Sequence, residues 1–283
     1  GSEMCIRDRL MGIRVSNSRE KIQGLQRGLS LNDRSFDEVV FDSVSFENCS
    51  FIHTAFNRCA GRHVSLNGCQ VYDPQFSNCD SWDHVRLVNT NVIKVQKQID
   101  VTVLSHVEAS TFQDVSIYGK RSQPVTSLSM MESTIVGKLA HVTIFENQAQ
   151  DQLLGCDFSR CSMHDVRLMG IPVDRCQLPD SISPIIIEDW PDVANDVLVK
   201  ALSIFNDPGY TPLEKTAASA IIADIQLDAG AFHSARGTHR TKVEDLGLPP
   251  ERGARLVSEL RDTSIPRPVL DAIQVIYQPW ITF

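Results

Sequence analysis

Seven thiols carry the first chemical suggestion. Cys49, Cys59, Cys69 and Cys79 recur at intervals of ten residues, and Cys156, Cys161 and Cys176 follow. Thiols at regular spacing would bind a soft metal or close disulfides. The other use is as small, weakly polar core filler, since cysteine is among the most buried residues. No CxxC pair exists. The expectation is therefore a set of buried, reduced thiols, which suits a reducing compartment, with no metal and no cofactor. Cys5, the eighth, lies apart near the amino end.

Other reactive groups form no constellation. The eight histidines (His53, His63, His84, His106, His141, His164, His233 and His239) make no HExxH or close Cys/His cluster and read as surface residues. There is no GxSxG. Gly119-Lys120-Arg121-Ser122 has the tail of a phosphate loop without its upstream glycine, so Lys120 and Arg121 read as a basic corner. A second basic group comprises Arg236, Arg240 and Lys242, with Arg252 and Arg255 beyond it. Those side chains suit phosphate or acidic surfaces. The chain as a whole has a formal charge of −8, which argues against sequence-independent nucleic-acid binding. No catalytic residue is assigned, and a non-enzymatic protein is expected.

What positions these residues is a five-residue period. Phe36, Phe41, Phe46, Phe51 and Phe56 recur without a miss. Val39, Val44, Cys49 and Thr54 stand two places before four of them. Neither a helix of 3.6 residues per turn nor a two-residue strand has this period. A chain that turns a corner every five residues does, returning each aromatic to one interior axis. Leu66, Val71 and Phe76 keep the phase after Gly61 interrupts it. The phase slips by one at Trp82 and resumes through Leu87, Val92, Val107, Phe112 and Ile117. It continues through Met130 and Ile135, then Phe158, Met163, Leu168 and Leu178. Departures at 61, 81–84, 94–104, 119–127 and 136–152 predict bulges or loops.

These residues resemble the pentapeptide-repeat family. The resemblance implies a right-handed quadrilateral β-helix over 29–187, with about twenty residues per coil and Phe36, Phe56 and Phe76 in one ladder. Segment 1–28 is expected to be a leader and cap, with a short helix over Arg19–Gln26. Gly1-Ser2 reads as a cloning remnant. Residues 3–9 look like translated adapter sequence, which implies a natural chain beginning further upstream. Basic and acidic residues number 6 and 3 over 1–28, 12 and 19 over 29–188, and 9 and 13 over 189–283. No run of eighteen apolar residues indicates a membrane span, and a cytoplasmic location is expected.

The period becomes helical after Pro184. Val193, Val197, Leu198, Ala201, Leu202 and Phe205 predict one apolar stripe. Thr211-Pro212-Leu213-Glu214 is a capping box opening a second helix that should stop before Gly230. A helix over Arg252–Asp262, then a hairpin from Ile273–Tyr277 and Trp280–Phe283, resembles the winged-helix fold. The expected architecture is thus a β-solenoid followed, over 188–283, by a small helical winged-helix-like domain. This combination resembles regulatory regions of bacterial STAND (NACHT-like) proteins. The resemblance implies a protein-interaction or sensor and adaptor module with a protein partner. An exposed β-helix end would separately favour a homodimer. Two alternatives stand beside it. One is a DNA mimic resembling the quinolone-resistance pentapeptide proteins that engage a type II topoisomerase. The other is a transcription regulator that uses the winged helix, although nucleic acid is not the favoured partner.

Overall fold

The structure, a computed structural model, describes residues 20–79, 81–119, 128–145, 152–169, 171, 173–180, 186–187, 190–235, 253–257 and 265–281. Its body is a four-sided β-solenoid of parallel strands, about seven turns high. On one side Phe36 pairs with Phe56 and Phe56 with Phe76. On the next, Phe41 pairs with Gly61 and Gly61 with Trp82. The third ladder runs Phe46, Leu66, Leu87, Val107, Met130. The fourth runs Phe51, Val71, Val92, Phe112, Ile135. Each quintet therefore supplies one side, and its central side chain meets its counterpart about one strand spacing away, ~4.8 Å.

The corners explain the residues between the phenylalanines. Glu38, Ser43, Asn48, His53 and Arg58, each two after a centre, have φ between 49° and 58°. L-residues resist this left-handed backbone, by about 1–2 kcal/mol each. Asn, Asp and Gly tolerate it best, and Asn78, Asn89, Asp73, Asp114 and Gly68 occupy the same corner elsewhere. Four histidines that look scattered in sequence, His53, His63, His84 and His141, are also corner residues.

The small inward position has its own chemistry. Thr54 Oγ1 donates to the carbonyl of Leu31, 2.8 Å away and one coil below. The thiols of Cys59, Cys69 and Cys79 donate to the carbonyls of Phe36, Phe46 and Phe56 at 3.5, 3.3 and 3.2 Å. Thr90 does the same to Leu66. A thiol or hydroxyl thus fills the space and answers a buried carbonyl. Cys49, Cys59, Cys69, Cys79, Cys156 and Cys161 are buried free thiols. Burial pushes the thiols of Cys156 and Cys161 up to about 11 and about 12.

Gly61 and Trp82, two apparent faults in the period, answer one another. A Cβ on Gly61 would lie 2.3 Å from Trp82 Cε3. The indole occupies the space above the glycine and stacks on Phe41, 6.0 Å between centroids. Residues 136–145 also stay within the tower instead of leaving it as a loop. Thr134–Ala140 and Thr143–Phe145 are strands, and Leu139 and Ile144 are buried on ladders with Met163 and Leu168. The expected helix over 19–26 is replaced by a strand, Lys21–Arg27, paired with Val40–Glu47. Gln26 is buried and Ile22 packs against the first coil's core, while backbone pairing holds the rest of the strand.

Three helices follow: α1 (Trp190–Asn206), α2 (Pro212–Ala235) and α3 (Arg267–Tyr277). Helix α2 opens on the expected capping box. Thr211 N donates to Glu214 Oε2 at 2.8 Å, and Glu214 N to Thr211 Oγ1 at 3.3 Å. It runs through Gly230 to Ala235, because one glycine costs only about 1 kcal/mol within a helix. The winged-helix expectation is corrected at two places. Gly253–Leu256, expected inside a helix, is a strand lying antiparallel between Arg167–Met169 and Ile186–Ile187. Ile273–Tyr277, expected in a hairpin, is the end of α3, with Leu270, Ile273, Ile276 and Tyr277 on its buried face. Open strand edges at the tower's end recruit the first segment, and a helical apolar spacing decides the second.

Candidate functional site

The basic residues singled out in the sequence do not assemble into a described site. Lys120, Arg121, Arg236, Arg240, Lys242 and Arg252 lie outside the described residues. Arg255 is in the returning strand, its backbone paired with Arg167 and Ile187. Gly253–Leu256 of the expected reading helix is thus a strand, and residues 252 and 258–262 of it lie outside the described residues. Among the described residues no group of three His, Cys, Asp or Glu side chains is placed to hold a metal. No described helix is long and apolar enough to cross a membrane.

The features that do stand out are how the helices are fixed to the tower and what they leave outside. Trp190, Ala194, Val197, Ala201 and Ile204 form the buried face of α1 and share one apolar core with the upper coils. Arg167, 2% exposed on a tower strand, pairs with Asp165 beside it and reaches Asp224 of α2 at 3.6 Å. His141 Nδ1 lies 2.8 Å from the other oxygen of Asp165. The buried Arg167–Asp165 pair, reaching Asp224, spans tower and helix, with the half-exposed His141 at its edge. Removing one member of such a group leaves its partners desolvated, which typically costs 3–5 kcal/mol. Lys200 Nζ donates to the carbonyls of Val275 and Ile276 at 3.0 and 2.9 Å, tying α1 to the end of α3. Desolvation there lowers the Lys200 pKa.

The burial of α1 differs from the expected stripe. Val197 and Ala201 are buried, but Leu202 and Phe205 point outward, and Ala194 and Ile204 take their place inside. Helix α1 is covered on the face that carries Trp190, Ala194, Val197, Ala201 and Ile204, chiefly by α2, and its other apolar residues stay outside. Val199, Leu202 and Phe205, at three-residue spacing, share the outer face. Val199 is 58% and Phe205 45% exposed. Tyr210 and Leu213, on the turn and the start of α2, are exposed too, as is Val275. Asp196 and Asp207 flank the outer face of α1, and both are exposed.

Several of the tower's charges are paired coil to coil. Lys21 pairs with Asp42, Arg27 with Glu47, Arg58 with Asp37 and Glu38, and Lys94 with Asp73. The hydrogen bond from Lys21 holds the Asp42 carboxyl below its ordinary pKa. Partners one coil apart in the ladder, some twenty residues apart in sequence, make this pairing possible.

A scan against protein-family models finds no match, and neither does a search of curated proteins. Among solved structures the chain is similar to HetL, a pentapeptide repeat protein involved in heterocyst differentiation regulation from the cyanobacterium Nostoc sp. strain PCC 7120. Identity is 11%, covering 62% of this chain and 89% of that one, with a TM-score of 0.22. It is also similar to trypsin-treated QnrB1, a plasmid-mediated fluoroquinolone resistance protein. There identity is 13%, coverage 56% and 89%, and the TM-score 0.22. Full-length QnrB1 gives 13% identity over 55% of this chain and 92% of that chain, with a TM-score of 0.18. The pentapeptide-repeat solenoid itself is read from this chain's own strand register.

Proposed function

We propose that the chain is a non-enzymatic protein-interaction module of a bacterial regulatory or defence system. The observation that carries this reading is the outer face of α1, where Val199, Leu202 and Phe205 stand in water although the same helix has a fully buried opposite face. Clustered exposed apolar side chains mark contact surfaces more often than free surface. Asp196 and Asp207 border the face, and the helical region carries more acid than base. The partner it fits is therefore a protein whose contact surface is apolar with a basic rim. The tower supports this role as a stiff body, since each coil is held by its neighbours.

The test is affinity capture from bacterial lysate with the native chain, with L202E/F205E, and with R58E on the tower wall. A protein retained by the native chain and R58E, lost by L202E/F205E and weakened by salt supports the reading. Capture insensitive to L202E/F205E, or no specific capture, overturns it.

The second reading is a DNA mimic acting on a type II topoisomerase. The tower's excess of acidic over basic residues favours it. The coil-to-coil ion pairs count against it, because they break up the continuous negative face that mimicry requires. Inhibition or protection in a gyrase supercoiling assay decides between the two.

A further inference from the structure

We propose that the corner column carrying His63 and His84 is a binding site for one divalent ion of the kind that imidazole favours, Zn²⁺, Ni²⁺ or Cu²⁺. The slip in the five-residue period creates the site. A strict repeat would place Asp83 over His63, but the slip at Trp82 moves the register by one residue. Gly61 therefore pairs with Trp82 and Arg62 with Asp83, and His84 comes to stand over His63. Both are corner residues, with φ of 52° and 54°. Their ring centres lie 4.9 Å apart, the planes tilted by 38°. Two imidazoles sharing one tetrahedral ion, with metal–nitrogen bonds of ~2.0–2.1 Å, have ring centres about 5 Å apart. The pair thus already has the separation that a shared ion requires.

The second observation concerns the hydrogen on the ring. His84 Nδ1 lies 2.7 Å from Asp83 Oδ1. An ionised carboxylate only accepts, so Nδ1 carries the hydrogen and Nε2 keeps its lone pair. A carboxylate behind the ring is the arrangement that orients metal-binding histidines and makes them better donors. The pair is open to an ion in solution: the His84 side chain is 55% exposed, and His63 is exposed too. Arg62, the nearest cation along the chain, is flanked on its ladder by Asp42 and Asp83, which offset its charge. Among the described residues no third His, Cys, Asp or Glu completes a set. The chain therefore gives two ligands and water fills the other positions. Hard ions such as Mg²⁺ prefer oxygen and are not suited to the pair. The ligands are far apart in sequence and meet only in the folded tower, so a bound ion ties one coil to the next. The site is on the tower wall, away from the outer face of α1, and stands or falls independently of the interaction reading.

The experiment titrates Zn²⁺, Cu²⁺ and Mg²⁺ separately into the full chain without a histidine tag, followed by calorimetry. Zn²⁺ and Cu²⁺ should bind and Mg²⁺ should not, and the electron paramagnetic resonance spectrum of bound Cu²⁺ should show two imidazole nitrogens. Zn²⁺ should also raise the thermal midpoint, because it binds the folded chain and not the unfolded one. His63→Asn and His84→Asn suit the corner, where Asn78 and Asn89 already stand, and so preserve the fold. Each should weaken Zn²⁺ binding at least tenfold and remove the rise in midpoint. Asp83→Asn should weaken it about tenfold through the ring it holds. His53→Asn is the control, since that corner histidine has Asp33 and Tyr72 beside it instead of a second imidazole, and it should change nothing. No binding at about 100 µM Zn²⁺ or Cu²⁺, a Cu²⁺ spectrum with a single nitrogen, or binding that survives His63→Asn and His84→Asn unchanged would overturn the proposal.

Discussion

Replacing Phe56 by alanine probes the ladder at its most connected point. Phe56 is 6% exposed and stacks on Phe36 and Phe76 at 5.5 and 5.1 Å, with Phe41 edge-on at 5.8 Å. Removing a buried phenylalanine costs about 3–5 kcal/mol, depending on how far the site collapses. Collapse is poor here, because strands on neighbouring coils hold the walls at fixed spacing. Each lost ring contact adds about 0.5–1.5 kcal/mol beyond area. We therefore expect about 4 kcal/mol. With a urea slope of about 2 kcal/mol/M, the midpoint falls by about 2 M. The assay is urea unfolding of the native chain, Phe56→Ala and Phe205→Ala, followed by circular dichroism and tryptophan fluorescence. Phe205 is the same residue type in an exposed position, so its change should stay within about 0.5 kcal/mol. If Phe56→Ala moves the midpoint no further than Phe205→Ala, the interior ladder is refuted.

Three further outcomes follow from the same packing. Gly61→Ala should destabilise by about 1–3 kcal/mol, because its Cβ meets the rigid indole of Trp82; unchanged thermal unfolding would contradict the close contact. Thr54→Val keeps the shape but removes the donor to the Leu31 carbonyl, and should cost about 1–2 kcal/mol. Thr54→Cys should cost less, since thiols perform this task at 59, 69 and 79, and a valine variant as stable as the parent would deny the hydrogen bond its role. Cys156 and Cys161 have folded pKa values raised to about 11 and about 12, above the ordinary thiol value of 9.0. The unfolded chain ionises first, so their contribution to stability is complete below pH ~9 and declines as pH rises towards those folded values. Iodoacetamide should accordingly leave both unlabelled at pH 8 in the native chain and label them in urea; rapid native labelling would show them accessible.

Much of the tower is legible in the chain because its rules are local. A bulky residue every fifth place, a small donor two before it and a residue tolerant of positive φ two after it specify a side and a corner within a few residues. The same periodicity places Phe36, Phe56 and Phe76 in one ladder, and the capping box at Thr211–Glu214 is equally local. The corner histidines follow the rule as well, though their spacing is easy to miss among other corner residues. Tertiary structure decided whatever depends on what lies opposite. Trp82 becomes a wall residue only because Gly61, a coil away, leaves it room. Gly253–Leu256 becomes a strand because the tower ends in unpaired edges, and α1 buries Ala194 and Ile204 instead of Leu202 and Phe205 because α2 and the end of the tower lie on that side of it. Periodicity reports a residue's own backbone state, whereas burial depends on distant neighbours that no spacing along the chain encodes.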